Sequence, residues 1–521
     1  MTFTKLFKIS SLTGMGIYTG FLVDSSRNVR HIGLVRFGVA AFTAVSIAVD
    51  YKTSVSKLQD STEITLQKWS DCHRRSAERL LNLCSINGGV FIKVGQHIAA
   101  LEHLVPPEYV ETLKVLHNQA PRSKITAIKL AIQKEIGQSF DDIFAEFEEE
   151  PIASASLAQV YRAKLKAENA KVAVKVQHPQ VFKHSLVDIA TMEFLARTIN
   201  RLFPEYSFIW LVEETKKNLP LEMDFVHEGK NSELVGPLLK EFSWLKIPKI
   251  YWKYTTKRVL VMEFIDGRLI TDNQFFVSNK INTRLIANRF EDIYNKMIYT
   301  YGTIHCDPHP GNVMVKKHPN DNDFDLYLLD HGLYTRSTFQ QYLTDDFRQN
   351  YCSMLLAIMN GDIDQIKNCA NEMGISDEDA ALLSCMISAK PWSSVSKGLS
   401  NRSINKETIK QEKEELKKNI AIYMGSISKV LAKVDRQLLL VMKTNDLVRS
   451  ISRNLGRDER STLINMNRYC LDTVTEKRLR QTQNVWSRMM IRLNNRIAHF
   501  RLTFYSLCVW MGSLFESKAI A

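Results

Sequence analysis

Three side chains have the plainest chemical use in this chain: Asp307 and Asn312 in the run IHCDPHPGN (304–312), and Asp330 in LLDHG (328–332). A carboxylate can orient or deprotonate an attacking group, while an amide oxygen and a second carboxylate are hard oxygen donors for a divalent cation. That set suits chemistry on phosphate, with Asp307 placed against the acceptor and Asn312 and Asp330 holding Mg²⁺ against phosphate oxygens. A cation on the protein is also needed. Lys175, in the run KVAVKV (171–176), is placed to neutralise the phosphates of a nucleotide, with Glu228 as the carboxylate that positions it.

These groups need elements to hold them. Alternation and β-branched residues predict strands within 151–163 and over 171–176, joined by a hairpin around Glu168–Asn169. Before the first strand lies Pro151-Ile152-Ala153-Ser154-Ala155-Ser156, a small-residue loop where a phosphate loop would stand. No glycine occurs between Gly137 and Gly229, so this loop is built of Ala and Ser. Glycine would let backbone N–H groups approach phosphate closely, so Ala153, Ser154, Ala155 and Ser156, with Val160 on the strand behind them, must hold nucleotide differently. The apolar strand 259–263 ends in Glu263 and reads as a hinge that meets adenine through its backbone. Helices are expected over 125–136, stopped at Gly137, over much of 183–218, over 285–301, and almost throughout 355–496. Val313–Val315 and 326–329 read as two strands around a polar turn. No Ala-Pro-Glu follows Gly332, so a peptide-docking segment is not evident.

The 521 residues, 45% hydrophobic and 24% charged, allow two or three globular units. The expected division is a segment 1–57, a helical extension 58–124, an N-lobe 125–264, a C-lobe 265–400 and a basic helical region 401–521. The net charge of +13 is concentrated late: residues 451–521 carry 12 Lys/Arg against 5 Asp/Glu. Such a tail suits an anionic membrane or a solvated helical face. The aromatics there, Tyr469 and Trp486, do not interleave with the basic residues as a base-stacking platform would, which argues against nucleic acid. Eight scattered cysteines without a CxxC pair imply free thiols in a reducing compartment. The first 36 residues hold five Lys/Arg against Asp24 alone, the composition of a mitochondrial targeting segment. Residues 37–49 are uncharged and apolar, a marginal span that competes with a buried or interfacial helix.

In order along the chain stand KVGQ (93–96), the Ala-rich loop, VAVK, the Glu222-x-Asp224 pair, HCDPHPGN and DHG. This ordered set resembles the UbiB/aarF-domain-containing (ADCK) atypical kinase family over roughly 93–332. The resemblance implies an α+β, atypical protein-kinase-like bilobal fold with a helical N-terminal (KxGQ) extension and a helical C-terminal extension. It implies that Lys93 and Gln96 fold over the active site, that Glu222 and Asp224 engage them, that Lys175 and Glu228 pair, that Asp307 is the catalytic Asp, and that Asn312 and Asp330 are metal ligands. It further implies ATP or ADP with Mg²⁺ as cofactors, a small-molecule or lipid substrate, and membrane lipids as partners at the mitochondrial inner membrane. An ordinary protein kinase and a nucleotide-sensing scaffold are the alternatives. The family pattern is departed from at Ser154, where Ala is usual, and at His331, where Phe stands in DFG.

Overall fold

The computed structural model describes residues 33–54, 63–99, 105–117, 122–202, 209–305, 309–319, 323–334, 343–398 and 434–518, with a few positions between 411 and 430. These form two compact units between which the chain passes more than once: the first takes the chain up to Val235, Pro248–Ile265 and Asn419–Ala432, the second Gly236–Ile247, Asp266–Lys418 and the chain from Lys433.

The first unit begins with helices α1 (Gly33–Ser54), α2 (Glu63–Asn87), α3 (Val90–Ala99) and α4 (Pro107–Leu113). Gly88 and Gly89, at φ 66° and 52°, break α2 from α3 in a conformation that side chains resist. Pro107 opens α4 at a position where its missing N–H costs no hydrogen bond. Helix α1 is long and apolar enough to cross a membrane by length and composition. It is nevertheless tied to the folded unit near both ends. Arg36 forms a buried two-pronged pair with Asp188, at 2.7 Å from Nε and 2.5 Å from Nη2. Asp50 accepts from Arg75 at 2.7 Å and Arg79 at 2.5 Å on α2. Of the competing readings, a helix packed on protein is the one these pairs support.

Tyr51 of α1, His73 of α2 and Tyr109 of α4 meet through hydroxyl contacts of 2.6 Å (Tyr51 to His73 Nδ1) and 3.0 Å (Tyr51 to Tyr109). Burial pushes the His73 imidazole down to about 4, with the charge of Glu108 acting the other way. A histidine depressed in the fold adds stability that is complete above its unfolded value near 6.5 and is lost as pH falls through 4, on the order of 2 kcal/mol here. His73→Gln keeps an acceptor for Tyr51, so melting curves at pH 7 and pH 5 should show a smaller acid loss in the variant than in the wild type. Equal losses would refute the assignment.

Helix α5 (Ile125–Ile136) follows, ended by Gly137 in the left-handed conformation at φ 74°. The sheet of this unit runs β1 (Phe144–Phe147), β3 (Ala158–Leu165), β4 (Lys171–Gln177), β6 (Val259–Glu263), all antiparallel, with β2 (Ala153–Ser154) also against β3. Asn169 turns the β3–β4 hairpin at φ 52°. Strand alternation separates two faces. Tyr161, Val172, Val174, Val176, Val259 and Val261 pack against Ile128 and Ile132 of α5, each buried aliphatic contributing about 1.5–3 kcal/mol. Lys175 belongs to the opposite face, across from Val160 on β3 and Leu260 on β6. Helices α6 (Val181–Leu202), α7 (Ile209–Glu222) and all but the end of α8 (Phe225–Leu238) also belong to this unit. The charged stretch 183–218 is thus two helices.

The second unit holds a four-stranded sheet in the order β5 (Leu245–Lys246), β9 (Phe324–Leu328), β8 (Val313–Lys317), β7 (Arg268–Leu269). After the short helix α9 (Asn273–Ser278), helix α10 (Thr283–Asn295) is capped by the Asn282 side chain and buries Ile286, Phe290 and Ile293. It continues as a wider turn, Lys296–Tyr301, until Gly302 stops it at φ 65°. Helices α11 (Asp345–Asn360), α12 (Ile363–Glu372), α13 (Asp377–Ser388), α14 (Arg436–Asn454), α15 (Glu459–Gln481) and α16 (Val485–Lys518) follow. Glu291 of α10, fully buried, accepts from Arg457 at 3.0 Å, Thr462 at 2.7 Å and Asn465 at 3.2 Å, which fastens α15 to α10. Cys72, Cys84, Cys352, Cys369, Cys385 and Cys470 are free thiols.

Candidate active site

Lys175 Nζ lies 2.7 and 2.9 Å from the two carboxylate oxygens of Glu228. Glu228 is almost fully enclosed and Lys175 nearly so, and the ammonium also lies 5.1 Å from the Phe225 ring centroid. Beside it on the same face Ala158, Ala173, Leu260 and Met262 are buried in one apolar cluster with Phe225 and Ile250. Helix α8 places Glu228 because it starts at the right residue. Pro220 lies in the last turn of α7, and Asp224 then caps α8 by accepting from Val226 N at 3.0 Å and His227 N at 3.3 Å.

The two acids of the Glu222-x-Asp224 pair therefore divide their work. Glu222 binds Lys93 of KVGQ at 2.8 Å in a nearly dry contact. Asp224 is bonded to the start of α8. Gln96 donates to the backbone oxygen of Leu116 at 3.0 Å. Gly95 lets α3 pack closely here, since a Cβ there would stand 2.4 Å from Leu116 Cδ1 and 3.1 Å from Cys84 Sγ and one of these side chains would have to shift.

In the Ala-rich loop, Ala153 and Ser154 pair with Val160 and Gln159, and Ala155 N donates to Ala158 O at 2.8 Å. Three residues that sequence reasoning passed over hold this loop. His178 Nε2 is 3.0 Å from Ala155 O, and its Nδ1 is 2.8 Å from Ser123 Oγ. Gln159, fully buried, accepts from Ser123 N at 2.7 Å. Burial lowers the His178 pKa, so the ring is neutral and acts as one donor and one acceptor. The only local signals were a Gln beside Ala158 and a His-Pro after the strand. The Ser154 hydroxyl and the Gln159 amide nitrogen are enclosed without a hydrogen-bond partner among the described residues, on the face of β3 opposite to Lys175.

Glu263 is placed differently from these. It pairs with Val172, so its exposed side chain leaves the sheet on the side away from Lys175, and its N–H already donates to Lys249 O at 2.8 Å. Any contact with a base at this residue is left to its carbonyl.

In the second unit, Asp307 lies outside the described residues. Asn312 closes a short turn, Pro310–Asn312, and its carbonyl accepts from Leu329 N at 2.9 Å, which joins the Asn312 turn to the residue before Asp330. Asp330 Oδ1 accepts from Gly332 N at 2.9 Å, and Asp330 O accepts from His305 Nε2 at 2.7 Å. His331 is buried, with Nε2 3.1 Å from Leu328 O and Nδ1 2.9 Å from the Tyr334 hydroxyl. The carbonyl can only accept, so Nε2 carries the proton and Nδ1 accepts from Tyr334. The two rings stack at 8°.

No cluster of three or more His, Cys, Asp or Glu side chains gathers among the described residues. One carboxylate and one amide oxygen are nevertheless a fitting set for Mg²⁺, which keeps waters and takes its remaining ligands from phosphate. Asp330 and Asn312 would hold it.

An antiparallel sheet that presents an ion-paired lysine, and a helix that leads into an Asn turn and an Asp-x-Gly, are the working parts of a kinase-like fold. The alanine and serine loop and the Lys93–Glu222 tie make it an atypical one. Residues 115–370 match the ABC1 atypical kinase-like domain. The chain is 43% identical to AarF domain-containing protein kinase 1 of Xenopus tropicalis over 91% of this chain and 89% of that one. It is 42% identical to AarF domain-containing kinase 1 of Drosophila melanogaster over 91% and 90%, and 40% identical to the Mus musculus AarF domain-containing protein kinase 1 over 98% and 96%. The chain belongs to this ABC1/AarF family of atypical kinases.

Proposed function

We propose that the chain is a Mg²⁺-dependent kinase or ATPase, acting on a small molecule or lipid at the mitochondrial inner membrane and supporting membrane-lipid or ubiquinone homeostasis. The observation that carries this reading is Lys175 held by both oxygens of Glu228 beside an apolar face. A lysine so fixed presents one positive charge to the phosphates of ATP or ADP without having to reorganise. Mg²⁺, when bound, would offset phosphate charge and polarise the transferred group. Asn312 and Asp330 supply its protein ligands, and Asp307 orients the acceptor or water. The Lys93–Glu222 pair, together with the absence of an Ala-Pro-Glu after Gly332, favours a small acceptor over a protein substrate.

Lys175→Met tests this. Purified full-length protein carrying it should lose at least about tenfold in ATP turnover, as loss of a phosphate-neutralising charge requires. Cells carrying it should share the lipid and quinone profile of the null. Wild-type turnover in the variant, or a wild-type profile, would remove the phosphoryl-transfer reading.

A further inference from the structure

Helix α16 is mounted with its polar edge inward. Asn495 and His499 reach Asp472 of α15 at 3.1 and 2.7 Å, and Thr503 accepts from Arg468 at 3.2 Å. The outward edge carries Trp486, Met489, Met490, Leu493, Ile497, Phe500, Phe504 and Leu507, all exposed, with Trp486 at 77% and Phe500 at 71%. At 3.6 residues per turn these eight fall within an arc of roughly 100°, a continuous stripe. A helix of a globular protein ordinarily turns such a stripe toward its neighbour. Here it faces away.

The charges say what covers it. From Val485 to Phe515 there is no Asp or Glu, while Arg488, Arg492, Arg496 and Arg501 are all exposed. Arg496 and Arg501 border the stripe on its two sides. A second copy of α16 laid on this face would set arginines against arginines with no acid to pair them. A transmembrane course would draw the same four arginines into hydrocarbon. A surface that is apolar below and negative above accepts both halves at once.

We propose that α16 lies in the plane of an anionic lipid surface, the stripe sunk among acyl chains and the arginines on lipid phosphates. The proposal stands independently of the phosphoryl-transfer reading. It is tested with full-length protein and vesicles of mixed phosphatidylglycerol and phosphatidylcholine, against phosphatidylcholine alone. The wild type should sediment with the anionic vesicles, less with the neutral ones, and less as salt is raised. The double variant Trp486→Glu, Phe500→Glu should lose about tenfold or more in partitioning, and Arg492→Gln, Arg496→Gln, Arg501→Gln should lose the preference for anionic lipid. All the substituted side chains are exposed, so the circular dichroism spectra and melting points of the variants should match the wild type. Wild-type sedimentation by the double variant overturns the proposal. So does equal binding to neutral vesicles, or a wild type that ignores vesicles and forms a dimer that the double variant dissolves.

Discussion

Asp330→Asn is expected to erase the stabilisation that Mg²⁺ and nucleotide together give the folded chain. Asparagine keeps an oxygen for the Gly332 N–H, now 2.9 Å from Asp330 Oδ1, so the turn should survive while the metal loses its charged ligand. For the wild type, a ligand at about 100 times its Kd adds roughly 2.7 kcal/mol, which raises the melting point by several degrees. In the variant the Mg²⁺-dependent part of that shift should vanish, with the unliganded melting point close to that of the wild type. Thermal shift with ATP or ADP, with and without Mg²⁺, reads this directly. An undiminished Mg²⁺-dependent shift would remove Asp330 as a metal ligand.

The second large effect concerns α1. Arg36 and Asp188 have side-chain exposures of 4% and 1%. Removing one partner strands the other charge in a dry contact, at a cost of about 3–5 kcal/mol. Asp188→Ala should therefore lower the melting point by about 10 °C. Arg36→Met with Asp188→Leu should recover much of the loss, because an apolar pair of similar volume leaves no charge unpaired. A helix that left the protein to span a bilayer would leave Arg36 unpaired already, and Asp188→Ala would then change little. The measurement thus separates the two readings of residues 37–49.

What the sequence showed well was local. The Val-rich alternation of 171–176 and 259–263, the hairpin at Asn169 and the helix stop at Gly137 each have a short-range cause, and each appears as an element where it was expected. The long-range partners were less legible. Lys93 and Glu222 are paired across most of the N-terminal unit, and nothing near either residue states their distance. Only the ordered motifs of a known family suggested it. Asp224 shows the limit of that guide, since its observed bonds are those of a helix cap, a role set by where α8 happens to begin. Glu263 shows another: alternation assigns a side chain to a face only once the strand register is known. The net positive charge of the tail was plain, but the outward stripe on α16 required knowing which edge α15 occupies.

His331 of the DHG run is held by more than packing. Its seat is made of the Leu328 carbonyl and the Tyr334 hydroxyl, with Tyr334 stacked on the ring. Leaving it would break two buried hydrogen bonds at about 1 kcal/mol each and forfeit the stack, so the departed form should amount to on the order of one molecule in a hundred. A switch built on the departure of His331 would therefore need a ligand or partner that favours the departed form by about a hundredfold.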